Sequence, residues 1–172
     1  LQREAGVSAG VVTAMAATGS LEVILVSDET PPPEPETRPG PALTADQTAA
    51  AAEISSSLGS GFAPTLLDGV TGSGKTEVYF DAVQRCLDAG RQVLILLPEI
   101  ALSAAWKQRF YDRFGVMPVD WHSDVAPTRK RRAWRHAQTG AAQGVVGARS
   151  ALFLPLARLG LIVVDEEHEQ AY

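Results

Sequence analysis

The eight residues Gly69-Val70-Thr71-Gly72-Ser73-Gly74-Lys75-Thr76 limit what this chain can fold into more than any other stretch. They fill the pattern G-x-x-x-x-G-K-[ST] at every defined position. From ordinary residue usage, a chance match in 172 residues is on the order of one in a hundred. The glycines let the backbone curl until its N–H groups line an anion-sized nest. The helix that begins at Lys75 would add the positive end of its dipole. Lys75 would then place a compact cation on the β/γ-phosphates of a nucleotide, and the Thr76 hydroxyl is sized to ligate Mg²⁺. The spacing predicts a strand over Thr65–Leu67 ahead of this loop and an amphipathic helix after it.

The rest of the chain after Leu43 fits that loop. Val93–Leu97, Gln143–Val146 and Leu161–Val164 are short and rich in Val, Ile and Leu, as strands covered on both faces are. Helical stripes separate them. Val78, Tyr79, Ala82, Val83, Cys86 and Leu87 form one, stopped by Gly90. Leu102, Ala105, Trp106 and Phe110 form another, closed by Gly115. A third runs from near Pro127 to Gly140. The expected fold class is therefore α/β: a P-loop lobe with a mainly parallel sheet and helices on both faces.

The last strand runs straight into acids, as Leu161-Ile162-Val163-Val164-Asp165-Glu166-Glu167-His168. In a parallel sheet, ligands sit beyond the carboxyl ends of the strands. Asp165 could hold Mg²⁺ opposite Thr76, and Glu166 could orient and deprotonate an attacking water. Softer features remain open on the residues alone. Gln47 could read an adenine edge or begin a surface helix capped by Thr44. His122-Ser123 reads best as a strand-end turn. Cys86 reads as a core residue. The cluster Arg129-Lys130-Arg131-Arg132-Ala133-Trp134-Arg135-His136 could meet phosphates over a buried Trp134, though such runs are more often solvated faces. Gly147-Ala148-Arg149-Ser150 could clamp a phosphate backbone.

Before Leu43 the chain is different. Asp28–Pro41 reads DETPPPEPETRPGP, an extended polar linker that implies a domain boundary. Residues 1–27 read as a helix capped by Ser8 and running to about Ala17, then a strand over Leu21–Val26. That is the end of a winged-helix-like unit. Its helix carries no Arg or Lys, which favours packing over DNA recognition. The net charge of −5 divides unevenly. Up to Ala42 there are 2 basic and 6 acidic residues, giving −4, and from Leu43 onward 13 and 14, giving −1. The acidity therefore does not exclude DNA from the lobe. No apolar run reaches the roughly 18 residues of a membrane helix. The single cysteine cannot form a disulfide framework or a zinc cluster and suits a reducing, cytoplasmic setting.

Five words together carry a family resemblance: GVTGSGKTEVY (69–79), LLPEIAL (96–102), HS (122–123), VVGARSALF (145–153) and LGLIVVDEEHEQAY (159–172). They resemble the bacterial replication-restart helicases, superfamily 2 DExH DNA helicases, across Leu43–Tyr172. The resemblance implies a RecA-like first lobe that uses ATP and Mg²⁺. It assigns the ATP loop to Gly69–Thr76, adenine recognition to Gln47, and the DExH box to Asp165 and Glu166. It assigns coupling to His168 and DNA contact to Pro98, Glu99, Arg149 and Ser150. It further implies 3′-to-5′ unwinding at stalled or branched forks, with single-stranded DNA-binding protein and other primosome proteins as partners. A second lobe supplying an arginine and a cysteine-rich zinc insertion are expected outside these residues, so this chain alone is expected to turn over little ATP. Two other readings are a DNA-bound loading scaffold that uses ATP as a switch, and a P-loop small-molecule kinase.

Overall fold

The computed structural model describes residues 8–21, 30–98 and 102–165. They fall into two compact units, residues 1–30 and 31–172.

In the first unit, helix α1 spans Ala9–Ala17. Ser8 is its N-cap, but its side chain makes no cap hydrogen bond, unlike the expected role. Gly19 ends the helix with φ of 73°. Val11 and Met15 are exposed. The expected strand over Leu21–Val26 lies outside the described residues except for Leu21, which is a bend.

The second unit holds helices α2 (Ala45–Ser57), α3 (Lys75–Asp88), α4 (Ala104–Phe114) and α5 (Pro127–Thr139). Its strands are β1 (Gln92–Leu96), β2 (Val119–Trp121), β3 (Gly144–Gly147) and β4 (Leu159–Val164), with a 3₁₀ turn at Arg149–Phe153. The sheet order is β2-β3-β1-β4, and every described pairing is parallel. Gly115 and Gly140 end α4 and α5 in the left-handed conformation that glycine adopts without a Cβ penalty.

The continuous apolar run of β1 has a simple cause. Side chains alternate across a strand, and here both faces are covered. Val93, Ile95 and Leu97 enter a cluster with Phe80, Val83, Trp106, Phe110 and Phe114 from α3 and α4. Leu94 and Leu96 enter a second cluster with Ala137 of α5, Val145 and Ala151. Helices therefore pack on both faces. Cys86 belongs to the first cluster, where burial pushes its thiol up to about 11.

One expected strand is absent. Residues 63–70 form no ladder, and Thr65–Leu67 is not a strand. Gly59 and Gly61 take φ of 86° and 96°, and Pro64 has no N–H to give a ladder. Leu66 is 79% exposed and Phe62 97%, so the apolar run covers nothing. β4 is consequently an edge of the described sheet, with Ile162 and Val164 half-exposed.

The proline-rich segment has no helix or strand over residues 30–44, as expected, yet it is more than a spacer. The last carbonyls of a helix lack intrahelical partners. Here Glu36 N–H donates to Phe114 O and Arg38 N–H to Arg113 O, both at 2.8 Å. Arg113 returns a bond to the Arg38 carbonyl, and Thr37 donates to Asp88 at 3.1 Å. The strap thus caps α4 and belongs to the second unit.

Gln92, at the start of β1, is fully buried. Its Nε2 donates to Ala137 O at 3.1 Å and Ala142 O at 2.7 Å, and its Oε1 accepts from Arg158 N at 2.7 Å. One side chain so joins α5, the loop after it and the approach to β4. Gln92→Leu should cost about 2–3 kcal/mol, because it strands buried partners that cost about 1–3 kcal/mol each. Urea unfolding checks this.

Candidate functional site

The parallel sheet gathers the motif residues at one edge. The carboxyl ends of β1, β2, β3 and β4 lead to Pro98, His122, Arg149 and Asp165 respectively. Such an edge is where open α/β sheets bind ligands. Asp165 is fixed there by its own backbone, since its N–H donates to Leu96 O at 3.1 Å and prolongs the β1–β4 ladder.

The glycine-rich loop turns into α3 through Gly72 and Gly74, with φ of 80° and 83°. Gly74 is the N-cap, and the N–H of Glu77 already donates to its carbonyl. Ser73 N–H closes the turn onto Val70 O at 3.1 Å. Lys75 Nζ donates to Gly69 O at 2.6 Å and to Val70 O at 3.5 Å. The loop thus holds its own cation by its carbonyls, with the positive end of α3 beside it. A curl of backbone, an ammonium and a helix N-terminus are the donor set a polyphosphate needs. Val70, Thr71 and Ser73 occupy the loop's variable positions, and Val70 is exposed.

Gln47 reaches this loop from α2. It forms a capping box with Thr44, and its Oε1 accepts from Thr44 N at 2.9 Å. Its Nε2 donates to Ser73 O at 2.8 Å. Those two bonds leave one N–H and one lone pair of the amide for a purine edge. They also let Gln47 brace the glycine-rich loop, a role that spacing did not reveal. A Cβ on Gly74 would lie 2.5 Å from Gln47 Nε2 and require a strained φ. Gly74→Ala should therefore weaken nucleotide binding at least about tenfold, a loss of about 1.4 kcal/mol, and titration with a fluorescent ADP checks it.

Asp165 and the loop meet through Tyr79, one helical turn after Thr76. The phenol donates to Asp165 Oδ2 at 2.9 Å and accepts from Trp106 Nε1 at 3.2 Å. Burial, with the Asp165 charge second, holds this phenol well above its ordinary range; the Trp106 and Thr76 contacts oppose the shift. Thr76 and Asp165 are hard oxygen donors gathered around one phenol. Among the described residues no group of three or more His, Cys, Asp or Glu could hold a metal alone. Mg²⁺ suits a site of this kind, because it takes one or two protein oxygens and fills its octahedron with water and phosphate. Tyr79 was legible in the sequence only as part of an apolar stripe.

The remaining expectations divide. Glu99, Glu166 and His168 lie outside the described residues. Pro98 is buried, and its carbonyl accepts from Leu102 N at 3.2 Å. Arg149 and Ser150 are exposed at the end of β3. His122-Ser123 forms the expected turn, with Val125 N–H on His122 O at 3.3 Å. On α5, Arg129, Arg131, Arg132 and Arg135 are exposed, and Lys130 donates to Ser123 O at 3.2 Å. Trp134 is not buried beneath them. It is 42% exposed and tilted against Trp121 at 6.2 Å, because Ala133, His136 and Ala137 occupy the inward face. Among the described residues no helix is long and apolar enough to cross a membrane.

Residues 44–172 match the model of the DEAD/DEAH box helicase family. The replication restart protein PriA of Rickettsia typhi is 53% identical over 109 residues, covering 63% of this chain and 17% of that protein. The protein of the same name from Haemophilus influenzae is 47% identical over 113 residues, covering 66% of this chain and 16% of its own length. That of Bacillus subtilis is 42% identical over 138 residues, covering 80% and 17%. The chain therefore spans about a sixth of the length of these relatives.

Proposed function

Since this chain belongs to the DEAD/DEAH box helicase family, we propose that it is the first ATP-binding lobe of a replication-restart helicase. In the whole protein, ATP hydrolysis would drive 3′-to-5′ movement along DNA at stalled or branched forks. The observation that carries this reading is the meeting of the glycine-rich loop and Asp165 at one sheet edge, joined through Tyr79. The similarity to replication restart proteins, 42–53% identical over 109–138 residues, supports its narrower part.

Bound ATP with Mg²⁺ supplies a transferable phosphoryl group and the charge that polarises it. The residues of this chain do the rest. The curl from Gly69 to Gly74 receives phosphate oxygens on backbone N–H groups, and Lys75 moves its ammonium from the loop carbonyls to that charge. Thr76 and Asp165 hold the metal. Glu166 orients the attacking water and takes its proton, and His168 passes the state of the site to a second lobe that contributes an arginine. Gln47 reads adenine with the amide groups its two loop bonds leave over. Pro98 and Glu99 shape one contact with a DNA strand, and Arg149 and Ser150 another. Single-stranded DNA-binding protein and other primosome proteins would be the partners, in the cytoplasm.

Hydrolysis of ATP by the whole protein, with and without forked DNA, tests the reading. Mg²⁺-dependent hydrolysis stimulated by DNA, together with displacement of a strand ahead of a 3′-to-5′ movement, is the expected result. Hydrolysis indifferent to DNA, or phosphoryl transfer to a small molecule, would overturn it.

A further inference from the structure

The buried phenol of Tyr79 does more than fill space. Tyr79 is 5% exposed, among Phe80, Val83 and Trp106 in an otherwise apolar cluster. Phenylalanine would fill nearly the same volume without the cost of burying a hydroxyl. The hydroxyl is matched at both ends, by Trp106 Nε1 at 3.2 Å and by Asp165 Oδ2 at 2.9 Å. An indole N–H can only donate. It therefore takes a lone pair of the phenol oxygen and leaves the phenol proton to point at the carboxylate. Trp106 is itself held at the first turn of α4, where its backbone N–H donates to the Ser103 cap at 3.2 Å.

We propose that Tyr79 is a positioning residue for the metal site. Its O–H fixes the carboxylate of Asp165 toward Thr76, and Trp106 sets the direction of that O–H. The proposal rests on the reading of Asp165 and Thr76 as the Mg²⁺ ligands. Partners that orient metal-binding carboxylates act on metal affinity as strongly as on activity. The chain Trp106–Tyr79–Asp165 also ties the first turn of α4, which follows the segment assigned to DNA contact, to the nucleotide side of the lobe.

Binding of Mn²⁺ in the presence of ADP, followed by electron paramagnetic resonance, tests this on the full chain. Tyr79→Phe should weaken Mn²⁺ binding about tenfold, in the range known for groups that orient metal ligands. Trp106→Phe should weaken it less, and the double variant should be no worse than Tyr79→Phe, because the indole acts through the phenol. Leu87→Ala, buried at the far end of α3, serves as the control. It should lower the melting temperature and leave Mn²⁺ affinity unchanged. Unchanged Mn²⁺ affinity in folded Tyr79→Phe would overturn the proposal. If Tyr79→Phe does not fold, unchanged affinity in Trp106→Phe would do so. Failure of the wild-type chain to bind Mn²⁺ with ADP would instead overturn the metal reading of Asp165, and the positioning role with it.

Discussion

Lys75→Ala is expected to lower ATP hydrolysis by the whole protein at least about a hundredfold, the scale on which a single group that stabilises developing charge is felt. The lysine is the one side chain of the loop that carries a full positive charge, and its partners are the loop's own carbonyls, Gly69 O and Val70 O. Removing it strands no buried donor and opens no cavity in the core. Stability should therefore stay within about 0.5 kcal/mol, as for substitutions away from core features. The pairing matters: a large loss of activity with little loss of stability separates a nucleotide-binding lysine from a structural one. Hydrolysis assays and urea unfolding of the same preparation check both halves. An active Lys75→Ala protein would favour a scaffold in which the loop is dispensable.

Phe80→Ala tests the opposite kind of residue. Phe80 is 1% exposed and lies edge-on to Tyr79 at 5.3 Å, Trp106 at 5.9 Å, Phe110 at 6.0 Å and Phe114 at 5.3 Å. It stands four residues after Thr76 on α3, so this aromatic group clamps the helix that follows the glycine-rich loop to α4. Truncation removes a large buried side chain and leaves a cavity among rings that cannot collapse into it. The expected cost is about 3–5 kcal/mol. A domain is typically stable by only about 5–15 kcal/mol, so the variant should be partly unfolded at moderate temperature. The midpoint of urea unfolding reads the loss directly. A loss below about 1 kcal/mol would mean that the helices are held together elsewhere.

Much of this was legible in the residues. The glycine-rich loop is written in fixed letters, because glycine adopts the positive φ of Gly72 and Gly74 without a Cβ penalty and the proposed phosphate site calls for Lys75. Gly115 and Gly140 stop α4 and α5 where the apolar stripes end. The run of β1 was readable because its two faces are both covered. Other features were not readable, for reasons that are also physical. Thr65–Leu67 has strand-like composition, but composition does not say whether a neighbouring strand pairs with it, and none does among the described residues. Gln92 is the first residue of its strand and is polar, so nothing local marks it as a buried clamp. Its bonds reach residues 45 and more positions away. The prolines of the strap announce extended backbone, yet the carbonyls of Arg113 and Phe114 that it caps come from a distant helix end. Tyr79 fits the apolar stripe of its helix, and its hydroxyl partners Trp106 and Asp165 lie 27 and 86 positions on, out of reach of any local pattern.

The central claim is that Gly69–Thr76 and Asp165 form one magnesium–nucleotide site. Hydrogen exchange of the chain with and without Mg²⁺ and ADP tests it most directly. The expected result is protection of the amides from Gly69 to Thr76, with Asp165 slowed only when Mg²⁺ accompanies the nucleotide. Exchange that is unchanged in the loop, or protection confined to other segments, would contradict it.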